Sequence, residues 1–113
     1  MNQPPVNLST LNELRSIMGS DFGHLIEVFI ADSAARISAM HAAVAARDGE
    51  SLRKAAHSIK GSCMNIAAAE LAELCRQLEL LGRDGGVDSA GPVLANAEAE
   101  FLRVKDYLAS VPR

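Results

Sequence analysis

Among the three histidines of this chain, His57 has the neighbours that could support chemistry. An imidazole that is neutral near pH 7 keeps a lone pair on one ring nitrogen and can attack phosphorus. Lys60 follows at i+3 and Arg53 precedes at i−4, the spacings that put side chains side by side on a helix. Their positive charges could stabilise a phosphoryl group on the ring, each exposed contact contributing about 0.3–1 kcal/mol. Gly61 at i+4 removes a side chain beside the ring. Glycine inside a helix costs about 1 kcal/mol relative to alanine. Its presence on this face points to close approach by another protein.

Helical geometry decides where this group faces. With successive residues about 100° apart and Leu52 set at zero, Ala55, Ala56, Ile59, Cys63 and Ile66 fall within about 60° of it, forming a buried stripe. His57 falls at about 140°, Gly61 at about 180°, Met64 at about 120°, Arg53 at about 100° and Lys60 at about 80°. His57 is therefore expected to point to water.

Five helical segments are predicted, with no strand pattern between them. The first runs from Ser9 to Met18, with Ser9 or Thr10 as its cap and Gly19 at its end. The second runs from Asp21 to Arg47 along a stripe of Leu25, Phe29, Ile37, Met40 and Val44, with Ile26 and Ser33 between, and stops at Asp48-Gly49. The third runs from Glu50 to Asn65 and has Asp48 as its cap. The fourth, from Ala69 to Leu81, shows the cleanest apolar face, and Gly82, Gly85 and Gly86 then open a loop reaching Gly91 that should be the most mobile internal segment. The fifth runs from Pro92 to Ser110. The expected fold is all-α: an antiparallel four-helix bundle with a short additional N-terminal helix, in one domain over 1–113 whose residues 1–7 form a flexible N-terminus.

Composition narrows the function. The chain is 49% hydrophobic with a net charge of −3, which argues against nucleic acid as a partner. The N-terminus lacks a basic, apolar leader pattern, and no stretch reads as long and apolar enough to span a membrane, so a soluble cytoplasmic protein is expected. Cys63 and Cys75 form neither a CxxC pair nor a zinc spacing and read as buried small hydrophobes. His24 and His41 lack the Lys-Gly neighbours of His57 and read as structural. A metal or haem bundle would need inward-facing ligands that the helices do not offer.

The run Ala56-His57-Ser58-Ile59-Lys60-Gly61-Ser62, continued by Asn65-Ile66 and by Glu70-Leu71-Ala72-Glu73-Leu74-Cys75, resembles the signature of histidine-containing phosphotransfer (HPt) domains of bacterial phosphorelays. The resemblance covers the third and fourth helices well and the others in outline. It implies that His57 is the phosphorylated histidine, that Lys60 assists the phosphoryl group, and that Gly61 clears space for the partner. It departs at Ala67, where the family commonly has glycine, and at Met64, where a small residue is frequent; Met64 would extend the docking surface. The implied partners are receiver domains of a hybrid sensor histidine kinase and of a response regulator, with Mg²⁺ on the receiver and no cofactor on this chain. Histidine kinase helices follow their histidine with an acidic residue, whereas Ser58 stands here; with no P-loop and no room for an ATP-binding domain, no ATP-dependent kinase activity is expected. A monomer is expected. Arg53, Met64, Met18, Phe22 and Leu25 are the candidate docking residues; Ile26, Phe29, Leu11 and Leu14 raise the same question, against the simpler reading that these apolar residues are core. The competing function is a helical-bundle binding module that is not phosphorylated and sequesters a receiver or another regulator.

Overall fold

The computed structural model describes residues 3–113. Five α-helices follow one another: α1 Leu8–Met18, α2 Phe22–Ala45, α3 Gly49–Asn65, α4 Ala69–Arg83 and α5 Ala90–Ala109, with 3₁₀ turns at Gly19–Asp21 and Val87–Ser89. No strand occurs among the described residues. Helices α2 to α5 form the expected bundle: α3 packs on α2 and α4, and α5 closes the ring against α4 and α2. The short α1 leans on α2.

The core is built from one stripe per helix. Phe22, Ile26, Phe29, Ser33, Ile37, Met40 and Ala43 are buried on α2; Leu52, Ala55, Ala56, Ile59 and Cys63 on α3; Leu71, Cys75 and Leu78 on α4; Leu94, Ala97, Phe101, Val104 and Leu108 on α5. The α3 stripe is the one the periodicity predicts. On α2 the stripe is rotated slightly: Ala43 is buried, while Leu25 and Val44 are only partly covered.

Several expectations are corrected. The cap of α1 is Asn7, whose Oδ1 accepts from the Thr10 N–H at 3.0 Å, so Ser9 and Thr10 lie inside the helix. The stretch before α1, expected to be flexible, is fastened over its described residues. Val6 is buried, the Asn7 N–H donates to the Ala67 carbonyl at 3.0 Å, and Arg103 donates to the Gln3 carbonyl at 2.9 Å. Met1 and Asn2 lie outside the described residues. The loop expected from Gly82 to Gly91 is shorter: α4 continues to Arg83, a 3₁₀ turn covers Val87–Ser89, and α5 begins at Ala90. Gly82 is thus a helical residue. A Cβ on it would lie 2.5 Å from the Gly49 carbonyl oxygen, and one on Gly49 would lie 2.6 Å from the Gly82 oxygen, so these glycines let α3 and α4 touch backbone to backbone. Within Leu8–Ala45 an 18-residue window reaches a mean hydropathy of 1.2, more apolar than the sequence reading allowed; its buried share contributes to the bundle core.

Helices α2, α3 and α4 end alike. After each, one residue turns left-handed: Arg47 at φ 55°, Ala67 at φ 62°, Gly85 at φ 80°. The next N–H returns to a carbonyl inside the helix: Asp48 to Ala43 at 2.8 Å, Ala68 to Cys63 at 2.9 Å, Gly86 to Leu81 at 2.8 Å. These are Schellman caps, in which glycine is the usual left-handed residue. Ala67 therefore keeps the turn that glycine would make.

Candidate functional site

Helix α3 has the predicted cap, Asp48, whose Oδ1 accepts from the Ser51 N–H at 3.1 Å, and begins at Gly49, one residue before the expected Glu50. Because its buried stripe is fixed by Leu52, Ala56, Ile59 and Cys63, His57 must face outward, and its side chain is 63% exposed. Gly61 lies one turn further on, and a Cβ there would meet nothing within 4 Å. Met64, another turn along, is 69% exposed. The three form one open strip.

Helix α4 supplies a residue that the sequence reading missed. Glu79 places one carboxylate oxygen 2.9 Å from His57 Nδ1 and accepts from Lys60 Nζ on the other at 2.7 Å. A carboxylate only accepts, so Nδ1 carries the proton, and in the neutral ring the lone pair is on Nε2. The bond also fixes the ring plane, as a second partner does for a functional histidine. Glu79 is 17% exposed. The hydrogen bond from Lys60 holds its carboxyl below the usual range, the bond to His57 adds to this, and burial opposes both.

Arg53 and Arg83, whose charges also act on Glu79, are bonded elsewhere. Arg53 makes two bonds of 2.8 Å to Glu50, and Arg83 makes bonds of 2.8 and 3.2 Å to Asp84. Arg53, expected beside a phosphoryl group, is thus held by a carboxylate one turn back. A groove of about 420 Å³ runs beside the strip between α3 and α4, lined by Lys60, Cys63, Met64, Ala67, Ala72 and Arg76. On the other flank of α3, Leu25, Val28, Ser62 and Asn65 line a cleft of about 90 Å³.

Of the apolar candidates for docking, Met64 is open, while Leu25 and Met18 are partly covered. Phe22 is corrected: it is fully buried in the core and has no surface to present. Ile26, Phe29 and Leu11 are core as well. Val28, 48% exposed, was not singled out by periodicity because it lies off the apolar stripe. Cys63 and Cys75 are both buried; burial raises both thiols, Cys75 to about 12, so neither is a nucleophile.

The family profile of the Hpt domain matches residues 24–112. The chain belongs to the Hpt domain family. The Hpt bundle is also seen in solved structures. Histidine-containing phosphotransfer protein B (HptB) from Pseudomonas aeruginosa PAO1 superposes with a TM-score of 0.91 at 32% identity, over 96% of this chain and 94% of that one. The maize histidine-containing phosphotransfer protein ZmHP2 superposes at 0.83 with 20% identity, over 94% and 87%, and attests the fold alone. The sensor protein TorS of Escherichia coli (strain K12) is 30% identical over 79 residues, 69% of this chain. The Hpt chain spans only 9% of that protein's length. Fold and family together place this chain among histidine-containing phosphotransfer domains.

Proposed function

We propose that His57 accepts a phosphoryl group from the phosphorylated aspartate of a receiver domain and passes it to the aspartate of a response regulator. The observation that carries this is the exposed ring on an Hpt bundle: the His57 side chain is 63% exposed, its Nδ1 is held by Glu79, which leaves Nε2 as the nitrogen with the lone pair, and open space lies at Gly61 one turn on. In the forward step the Nε2 lone pair attacks phosphorus, a P–N bond forms, the P–O bond to the aspartate breaks, and the aspartate leaves as a carboxylate. Nδ1 keeps its proton, so the positive charge that develops on the ring lies against Glu79. Onward transfer is the reverse with a second aspartate.

The donor is the receiver of a hybrid sensor kinase; similarity to part of a sensor protein supports this. The receiver supplies Mg²⁺, because among the described residues Glu79 is the one carboxylate bonded to the ring and is already engaged twice. Met64, Gly61 and the flanking clefts, with Leu25 and Met18 at the margin, form the docking face, and Arg53 is recruited from Glu50 by the acidic rim of the receiver. The protein works as a monomer in the cytoplasm and has no ATP-dependent kinase activity of its own.

The test is incubation with a phosphorylated receiver. Acid-labile phosphate should appear on the wild type and be absent from His57→Gln. Equal labelling of the variant would sink the assignment. Receiver binding without any phosphate on the wild type would favour the sequestering module.

A further inference from the structure

In the unphosphorylated protein Lys60 is not free to meet a phosphoryl group. Its ammonium is bonded to Glu79 at 2.7 Å, on the same carboxylate that holds His57 Nδ1 at 2.9 Å. Among the described residues no side chain other than Lys60 and His57 is bonded to a Glu79 oxygen, and Arg53 and Arg83 are each engaged by two bonds to their own carboxylates. Lys60 side-chain exposure is 27%, and the Gly61 side of His57 is open. One flexible stem thus carries a single ammonium that is bonded to a carboxylate and sits one turn along the helix from the histidine that would bear a dianionic phosphoryl group.

We propose that Glu79 and the phosphoryl group on His57 compete for Lys60, and that this competition keeps phospho-His57 easy to discharge. This rests on the phosphotransfer reading above. When phosphate arrives on Nε2, Lys60 crosses toward it and leaves one oxygen of a mostly buried carboxylate without its donor. That unpaired oxygen opposes full engagement of Lys60 with phosphate. The phosphoryl group is therefore held less firmly than it would be by an unshared lysine. When the P–N bond breaks, Lys60 returns to Glu79 and the starting arrangement is restored. Glutamine at position 79 would still accept the Nδ1 proton, so the ring would keep its tautomer, but its neutral amide would no longer compete for the ammonium.

The test uses the full chain phosphorylated chemically with phosphoramidate, which needs no partner protein. The decay of phosphate on the peptide carrying His57 is followed by mass spectrometry at neutral pH. Glu79→Gln should lengthen the phospho-His57 lifetime about two- to fivefold, the size of one partly screened ion pair. The greater part of this gain should vanish when Lys60 is already Lys60→Gln, because nothing is left to compete for. In the wild type, the Lys60 ammonium signal in NMR should shift on phosphorylation. An unchanged or shorter lifetime in Glu79→Gln, the same lengthening with Lys60→Gln, or an unmoved ammonium signal overturns the competition. Failure of the phosphotransfer reading would show separately, as no label from a phosphorylated receiver on a chain whose chemically made phospho-His57 decays as described.

Discussion

Replacing Ala67 with glycine should raise the stability of the domain. Ala67 holds φ 62° in the cap between α3 and α4, with the Ala68 N–H returning to Cys63 at 2.9 Å. A left-handed conformation costs an L-residue about 1–2 kcal/mol. Glycine avoids that cost but loses about 0.5–1 kcal/mol more conformational entropy on folding. The net gain is about 0.5–1 kcal/mol, or about 2–4 °C in Tm for a domain of this size. Ala67 is partly covered, so loss of its methyl subtracts a little. Arg47→Gly isolates the backbone effect, because Arg47 has the same cap geometry, is exposed, and gives up only a 3.4 Å surface bridge to Asp88. Gly85→Ala, at φ 80°, should cost what the others gain. Thermal unfolding followed by circular dichroism would measure all three, and Ala67→Gly combined with Gly85→Ala, at opposite ends of α4, should lie near the wild type if distant sites add. A loss of stability in both Ala67→Gly and Arg47→Gly would refute the left-handed strain argument.

Gly61 and Gly82 both lie in helices, yet alanine should act oppositely on them. Gly61→Ala has open space and should stabilise the helix by up to about 1 kcal/mol, while slowing transfer from a receiver at least tenfold if the partner's backbone needs that gap. Gly82→Ala forces a Cβ to 2.5 Å from a backbone oxygen and should destabilise by about 2–3 kcal/mol as α3 and α4 separate; Tm and transfer rate together distinguish the two. Acid titration should also find Glu79. Its folded carboxyl lies below its ordinary value of 4.5, chiefly through the Lys60 bond, so its stabilisation is complete above that value and is lost as pH falls through the folded one. Glu79→Gln should accordingly show a shallower loss of stability below about pH 4.5 than the wild type; identical acid limbs would count against the Glu79 bonds.

The sequence was most legible where one period governs one face. The α3 stripe could be read from Leu52, Ala56, Ile59 and Cys63, and exposure of His57 followed directly. On the second helix Ile26, Phe29, Ser33, Ile37 and Met40 were legible as stripe, but its run of alanines and long aliphatics leaves the edges of that stripe loose: Leu25 and Val44 are only partly covered, Phe22 was misjudged and Ala43 overlooked. Glu79 was invisible to periodicity because it lies beside the α4 stripe and looks like any solvated glutamate. A signal was nevertheless present. His57 and Glu79 stand about equally far on either side of the short turn at Ile66–Ala68, so an antiparallel hairpin sets them opposite each other. Gly82 reads as a helix breaker by propensity, whereas its reason is a contact with Gly49, residues away in sequence and touching in space. Such a contact has no local trace.

The open strip of His57, Gly61 and Met64 has a further consequence for traffic. Among the described residues no lid or pocket wall stands over the ring, and in the proposed relay one face of one helix would serve both arrival and departure. On the proposed function, donor and acceptor receivers could therefore not dock together; each visit would have to end before the next begins. Between visits the cargo travels alone in water. Its half-life in that interval, set against how quickly receivers come and go, decides how much of each signal reaches its destination. In such a carrier, the wait between partners is itself a step of the pathway.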